Sequence, residues 1–165
     1  MRVLTVNPGS GSLRLHVVED DEVVDSAEIG RPPAEAADDV KSFVDGLRVD
    51  AVAHRLVHGG ADLTAPSVVD DRVRAALAAA KTLAPEHVPN TQALLEQLGE
   101  LLPDVPHVVC PDTAFHRGLP EIARTYPLPA RWRARWDLRR FGFHGLSFAW
   151  AVRRAADLLD RPAGE

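Results

Sequence analysis

Residues 2–29 read RVLTVNPGSGSLRLHVVEDDEVVDSAEI, and this stretch predicts three short strands joined by tight turns. Residues 2–6 are apolar and β-branched, and residues 13–18 alternate apolar and polar side chains as a half-buried strand does. The turn signals are the glycine- and serine-rich segment 7–12 and the acidic segment 19–22. Because these links are short, we expect neighbouring strands to run antiparallel, as a meander.

Beyond Gly30 the pattern changes to helices that alternate with strands. This order favours the α/β class, with helices packed on a mixed sheet that begins with the antiparallel meander. The segment 126–140, rich in proline, tryptophan and arginine, is predicted to be irregular. The predicted elements are a helix over 34–47, a strand over 49–57, a helix over 68–80, a helix capped by Asn90, a strand over 107–110 and a last helix capped by Ser147 and ending at Leu159.

The length and composition exclude several classes of protein. The chain has 165 residues, the usual size of one globular domain, and its 45% hydrophobic residues exclude a disordered tail. A net charge of −5 argues against a nucleic-acid partner. Cys110 has no second cysteine to pair with, and no apolar run reaches the ~18–20 residues that span a membrane. We therefore expect a cytoplasmic protein without disulfides and without a membrane partner.

Polar residues collect where predicted strands end, which is where α/β proteins tend to bind ligands. The first such segment is NPGSGS at 7–12, whose glycines allow close approach of an anion and whose hydroxyl and amide groups can hold it. A β-turn made of turn-favouring residues explains the same segment. A Walker A loop and a dinucleotide-binding loop do not fit, because GxxxxGK[ST] is absent and a strand, not a helix, follows the glycines.

Arg55 and Asp112 each lie at the end of a predicted strand. A planar guanidinium suits recognition of a carboxylate or phosphate, and a structural ion pair is the alternative for Arg55. A carboxylate directly after a buried strand is where nucleotide-dependent enzymes hold Mg²⁺ or orient a nucleophile, and an Asx-turn or helix cap is the alternative for Asp112. His54 and His58 lack further ligands at suitable spacing for a zinc site.

Two more histidines lie just before predicted helices. His87 is bracketed by Pro85 and Pro89, and a helix N-terminus is a natural place for an anion. His144 stands in the glycine-flanked segment FGFHG. For both residues a capping or packing role is the alternative to catalysis.

Together these motifs resemble the amino-terminal half of the acetate kinase family, within the actin-like and sugar-kinase superfamily. The resemblance spans nearly the whole chain, and HRLVHGG, DTAFH and FGFHG are its most specific parts. The matching segments are VLTVNPGSGSLRL, HRLVHGG, LAPEHVPN, PDTAFHRGLPEIARTYPLP and RRFGFHGLSFAWAVRRAADLL. It implies an actin-like (ribonuclease H-like) ATPase domain and a kinase that transfers the γ-phosphoryl group of ATP to a short-chain carboxylate such as acetate. Mg²⁺ or Mn²⁺ is the implied cofactor, and a homodimer is the implied full-length assembly.

The resemblance also implies a role for each motif residue. Arg55 would bind the substrate carboxylate, and Asp112 would position the substrate and the metal. His87 and His144 would stabilise the phosphoryl group during transfer, which needs positioning and positive charge more than a strong base. The implied phosphate-binding residues are Asn7, Ser10, Ser12 and Arg14, with Asn7 also near the metal.

Several positions depart from the family pattern. Glu86 stands where the family usually has leucine, near the apolar pocket for the substrate methyl group, and a carboxylate there repels a carboxylate substrate unless it is neutralised or turned away. The other departures are Pro8, Gly11, Arg14, Val88, Leu146 and Phe148. They leave two alternatives open: a kinase for another acid such as propionate or butyrate, or a non-catalytic binding or assembly module that kept the fold.

Members of the family are considerably longer than this chain, and their second half carries a glycine-rich nucleotide-binding loop. We therefore expect residues 1–165 to form the amino-terminal domain, with the nucleotide-binding domain absent from this chain. We also expect the chain by itself to form no acyl phosphate.

Overall fold

Within residues 1–163, which the computed structural model describes, six strands form one mixed sheet in the order β3-β2-β1-β4-β6-β5. The first three strands are the predicted antiparallel meander, and β1, β4 and β6 run parallel to one another. A short edge strand, β5, pairs antiparallel with β6 and was not predicted. The strands are β1 Arg2–Pro8, β2 Leu13–Glu19, β3 Glu22–Ile29, β4 Ala51–Leu56, β5 Ser67–Val68 and β6 His107–Pro111.

Helices cover one face of this sheet. The core residues of β1 and β2, such as Leu4, Val6 and Leu15, are buried against residues of α1 and α3. A second cluster joins α2 and α3 to Leu56 and Val109 of the parallel strands. The helices are α1 Ala37–Val44, α2 Asp71–Ala80, α3 Val88–Leu101, α4 Glu121–Arg124, α5 Ala130–Trp136 and α6 Gly145–Leu159, with 3₁₀ turns at Pro33–Glu35 and Asp112–Gly118. No helix within residues 1–163 has the length and apolar character needed to cross a membrane.

The turn between β2 and β3 is formed by the acidic segment, as predicted. Asp20 and Asp21 have φ angles of 51° and 68°. Aspartate tolerates this left-handed region better than most residues, because its short side chain can hydrogen-bond locally. The acidic run thus closes the meander.

The helix boundaries differ from the predictions in physical detail. Asn90 is not a cap: α3 begins two residues earlier, at Val88, with Pro89 in its first turn, where its missing N–H is not needed. The helix predicted over 68–80 begins at Asp71, and Asp70 caps it by accepting a hydrogen bond from the Val73 amide at 2.7 Å.

Ser147 is not a cap either, because α6 begins at Gly145 after His144, which has a φ of 55°. The helix predicted over 34–47 is shortened to α1 and a preceding 3₁₀ turn. The segment 126–140, predicted to be irregular, contains α5. None of the α5 side chains is buried, so the segment has no apolar periodicity from which a helix could be predicted.

Candidate functional site

Three neighbouring strands bring Asn7, Arg55 and Asp112 to one edge of the sheet. β1, β4 and β6 are parallel, so their carboxyl ends meet there. Arg55 pairs with Cys110 in the β4–β6 register, which places Asp112 just beyond the end of β6. In the β1–β4 register Val6 pairs with His54, so Asn7 comes next to Arg55 on the other side.

Arg55 holds these three side chains together. Its Nη2 and Nε atoms donate to Asp112 Oδ2 at 2.7 and 3.2 Å, and its Nη1 donates to Asn7 Oδ1 at 3.0 Å. Asp112 is 1% exposed, and its Oδ1 has no hydrogen-bond partner among the described residues. The predicted ion pair of Arg55 is thus present, whereas Asp112 makes no side-chain cap for the 3₁₀ turn that it begins. The site has an oriented guanidinium beside a carboxylate oxygen that is still free to accept.

A cavity of about 500 Å³ opens beside this pair. His87, from the start of α3, and His144, from the start of α6, line it together with Arg55 and Asp112. Apolar walls come from residues such as Val57, Leu83 and Phe143, and Glu86 also lines the cavity; Pro8, Gly9, Ala84 and Pro85 complete the lining. Four residues predicted separately as catalytic or substrate-binding are therefore brought to one cavity. Its mixture of apolar walls and few polar groups is typical of a site for a small organic molecule.

A second cavity, of about 600 Å³, lies along the half-exposed face of the sheet. Arg55 and His144 line both cavities, so the two spaces share these side chains. The rest of its lining is Thr5, Val6, Asn7, Arg14, His16, Ala53, Cys110, Leu146 and Ser147. Burial raises the pKa of the Cys110 thiol, which therefore stays protonated at neutral pH and does not act as a thiolate there.

The loop that carries His144 is fixed by close backbone approaches at two glycines. A Cβ at Gly145 would clash with the carbonyl oxygen of Asp112, and a Cβ at Gly142 would overlap the ring of His116. His116 also donates from Nε2 to the carbonyl oxygen of Phe143, at 2.9 Å. The FGFHG segment is thus held directly against the residues that follow β6.

His58 packs against the same loop. Its buried ring accepts a hydrogen bond from the Gly60 amide at 2.9 Å and meets the rings of Phe141 and Phe143 edge-on. Burial, and to a lesser degree the charge of Arg139, lowers the pKa of His58, so its imidazole is neutral at pH 7. Sequence reasoning missed this packing role, although the recurring aromatic residues of FGFHG were a signal for it.

In the hairpin between β1 and β2, some residues form hydrogen bonds or ion pairs and others are exposed to solvent. The Gly9 amide donates to the Ser12 carbonyl oxygen at 2.7 Å, which makes the segment a tight turn. Ser10 is exposed, and the hydroxyls of Ser10 and Ser12 make no hydrogen bond within residues 1–163. Arg14 pairs with Glu28 at 2.9 Å at the edge of the second cavity. The phosphate-binding roles of Ser10, Ser12 and Arg14 stay predictions.

Metal-binding potential is concentrated at Asp112. Within the described part of the chain, no group of three or more histidine, cysteine, aspartate or glutamate side chains could hold a metal ion. Mg²⁺, however, is commonly held by one or two carboxylates together with water and substrate phosphates. The free, buried Oδ1 of Asp112 and the amide oxygen of Asn7 fit that smaller requirement.

Comparison with known proteins gives consistent matches. The sequence model of the acetokinase family matches residues 34–165. The acetate kinase of Geobacter sulfurreducens is 44% identical over 117 residues, which are 71% of this chain and 28% of that enzyme. The acetate kinase of Pseudarthrobacter chlorophenolicus is 35% identical and matches 100% of this chain and 49% of its own length. The chain thus spans at most about half the length of these two relatives.

Solved structures show the same similarity. The acetate kinase of Porphyromonas gingivalis superimposes with a TM-score of 0.83 and 26% identity, over 98% of this chain and 50% of its own. The acetate kinase of Entamoeba histolytica gives 0.80 and 28%, over 96% and 46%. The predicted actin-like α/β fold is thereby confirmed.

Proposed function

The chain belongs to the acetokinase family, and from this membership we propose that it supplies the carboxylate-binding half of an acetate kinase-like phosphotransferase. The reaction transfers the γ-phosphoryl group of ATP to a short-chain carboxylate and gives an acyl phosphate and ADP. One observation carries the proposal: Arg55, Asp112, His87 and His144, from four separate segments, line a single cavity.

The chemistry of these residues suits phosphoryl transfer. The attacking carboxylate is already ionised at neutral pH, since its ordinary pKa is ~4–5, and no strong base is needed. Arg55 binds the carboxylate and stabilises the negative charge that develops on the phosphoryl oxygens. Asp112 and Asn7 hold its guanidinium in place for this role. His87 and His144 donate to the same oxygens. We infer that the acid occupies the first cavity and the phosphates the second, so that Arg55 and His144, which line both, lie between the two substrates.

Mg²⁺ bound with ATP neutralises charge on the phosphates during such a transfer. Asp112 Oδ1 would hold the ion, directly or through water, with the Asn7 amide oxygen as a second possible ligand. Mn²⁺ suits the same oxygen ligands. Ser10, Ser12 and Arg14 contact the phosphates in this proposal.

The nucleotide-binding domain lies outside residues 1–165 in our proposal. The relatives that match this chain are about twice as long or longer, and their remaining half has no counterpart in it. The exposed apolar side chains of α6 give this domain a surface to pack on; they are Leu146, Phe148, Trp150, Val152, Leu158 and Leu159. We place the enzyme in the cytoplasm, as a homodimer in its full-length form, without nucleic-acid or membrane partners.

The identity of the acid depends on Glu86. Its exposed carboxylate lines the first cavity and has no ion-pair partner within residues 1–163. Because Arg55 is already paired with Asp112, Glu86 leaves the wall with a surplus negative charge, which disfavours a plain acid such as acetate. Among the candidate acids, we favour one that carries a hydrogen-bond donor at its far end. Butyrate and β-alanine form a matched pair of probes, since they differ mainly in a methyl and an ammonium group.

The proposed function is tested with a chimera in which residues 1–163 replace the matching half of the Pseudarthrobacter acetate kinase. We expect Mg-ATP-dependent acyl hydroxamate formation by the chimera and none by the 165-residue chain alone. Arg55→Met and His144→Asn should each lower the rate by at least about 100-fold. Asparagine is chosen at 144 because it tolerates the left-handed backbone.

Arg154→Met is the matched control, an exposed arginine on α6 outside both cavities. A folded chimera with no activity towards any short acid would contradict the kinase and favour a non-catalytic module. Comparable rates for butyrate and β-alanine, unchanged by Glu86→Leu, would agree with the kinase activity but contradict the role of Glu86 in selecting the acid.

A further inference from the structure

A concentration of positive charge lies outside the cavities described above. Arg117, Arg124, Arg139 and Arg140, here called the arginine pocket, line a separate cavity of about 70 Å³. It is enclosed by the 3₁₀ turn after β6, by α4 and by the segment 139–142. Its wall also includes Thr113 and His116.

This charge is poorly balanced by the protein. Among the described residues, no acidic side chain lines the cavity. Arg124 pairs with Glu121 at 3.3 Å and Arg139 pairs with Asp137 at 3.6 Å, but both carboxylates are largely exposed. Exposed ion pairs of this kind contribute little to the free energy of unfolding, typically about 0–1 kcal/mol.

Two guanidinium donors in the pocket are also unsatisfied. The Nε atoms of Arg124 and Arg139 are buried and have no hydrogen-bond partner within residues 1–163. Buried donors are rarely left unpaired in native proteins, and each such group needs a partner of some kind. Four arginines around one cavity, with no acidic side chain among its described lining residues, indicate an anion that the protein itself does not supply.

We propose that the arginine pocket binds a small tetrahedral oxyanion of the phosphate class. The planar, multidentate guanidinium is the side chain best matched to such an anion. The cavity volume of about 70 Å³ is several times the ~10–15 Å³ that one water molecule requires, which is room for a small oxyanion. The site shares no lining residue with the cavity of Arg55.

The bound anion also stabilises the loop that carries His144. Arg139 and Arg140 lead into this loop, whereas Arg117 belongs to the 3₁₀ turn after β6. His116, which lines the pocket, is hydrogen-bonded to the carbonyl oxygen of Phe143. An anion that joins these arginines holds the loop against the turn, and a ligand that binds only the folded state raises its stability.

The test is a titration of the 165-residue chain with inorganic phosphate, at constant ionic strength in chloride, followed by amide NMR shifts and by Tm. We expect saturable shifts at Thr113, His116 and Gly142 and a rise in Tm. Arg117→Gln combined with Arg124→Gln should weaken the affinity at least tenfold. Should that double variant fail to fold, Arg117→Gln alone serves, because Arg117 is exposed.

Two controls separate this site from other phosphate binding. Arg153→Gln combined with Arg154→Gln removes the same charge from α6 and should leave the affinity within twofold of wild type. His87→Gln, which changes the cavity of Arg55 without stranding a buried charge, should leave it unchanged as well. The proposal is overturned if phosphate gives no saturable shift, if the pocket variant binds as wild type does, or if His87→Gln alone abolishes binding, which would assign the phosphate to the substrate cavity.

Discussion

Acid should destabilise this protein through His54, which lies in β4 beside Arg55. The His54 side chain is fully buried, and its Nε2 lies 3.0 Å from Nδ1 of His107. His107 Nε2 is 3.2 Å from the carbonyl oxygen of Leu102, so it carries the proton and donates there. His107 Nδ1 is then an acceptor, and His54 donates to it while staying neutral.

The size of the effect follows from the pKa difference between the two states. Burial, and to a smaller degree the electrostatic effect of neighbouring His107, lowers the pKa of folded His54 from 6.5 to about 3. Below pH 6.5 the unfolded chain therefore binds a proton at His54 that the folded chain does not bind. The contribution of His54 to the free energy of unfolding is fully present above that pH and is lost as the pH falls towards 3. Relative to pH 7, the loss is about 2 kcal/mol at pH 5 and about 3 kcal/mol at pH 4.

Urea unfolding of wild type and His54→Gln at pH 7, 6, 5 and 4 measures this loss. Glutamine keeps an N–H that can donate to His107 but does not titrate, so the variant should lose about 2 kcal/mol less than wild type between pH 7 and pH 5. Val40→Ala, a buried change without a titrating group, controls for lowered stability and should keep the wild-type pH dependence. If wild type and His54→Gln lose stability in parallel, His54 is not the group whose titration destabilises the protein.

Three further changes give direct tests of packing and capping. Arg55→Met should lower the free energy of unfolding by about 3–5 kcal/mol, because it strands the buried Asp112 carboxylate, and adding Asp112→Asn should recover part of the loss in urea unfolding. Gly145→Ala should lower Tm through its clash with the Asp112 carbonyl oxygen, whereas Gly99→Ala, in open space within α3, should raise it. Asp70→Ala should cost about 1 kcal/mol by chemical denaturation through loss of the α2 cap, and an unchanged midpoint would contradict that cap.

The parts of the site that could be predicted lie where local pattern fixes geometry. Apolar runs predicted the strands, and the ends of parallel strands share one edge, so Asn7, Arg55 and Asp112 could be expected together. The glycines that flank Phe143 and His144 likewise indicated a constrained loop. In each case the signal lies within a few residues of the feature that it predicts.

Contacts between distant segments could not be predicted in this way. The hydrogen bond between His54 and His107 joins residues 53 positions apart, and nothing in either local sequence marks the other residue as its partner. The helix α5 escaped prediction because none of its residues is buried, so its sequence has no apolar face. Local periodicity reports burial, and it fails where a helix buries nothing.

Arg55 can form a structural ion pair and bind a ligand at the same time. A buried ion pair is weak as a source of stability, since desolvation offsets most of its attraction. Asp112 nevertheless uses only Oδ2 to hold Arg55 and leaves Oδ1 buried and unpaired, which a purely stabilising pair has no reason to do. Arg55, 27% exposed, turns from this carboxylate towards two cavities. The pair therefore contributes little stability but holds a guanidinium in one orientation beside a free carboxylate oxygen. A site for charged ligands requires such fixed groups.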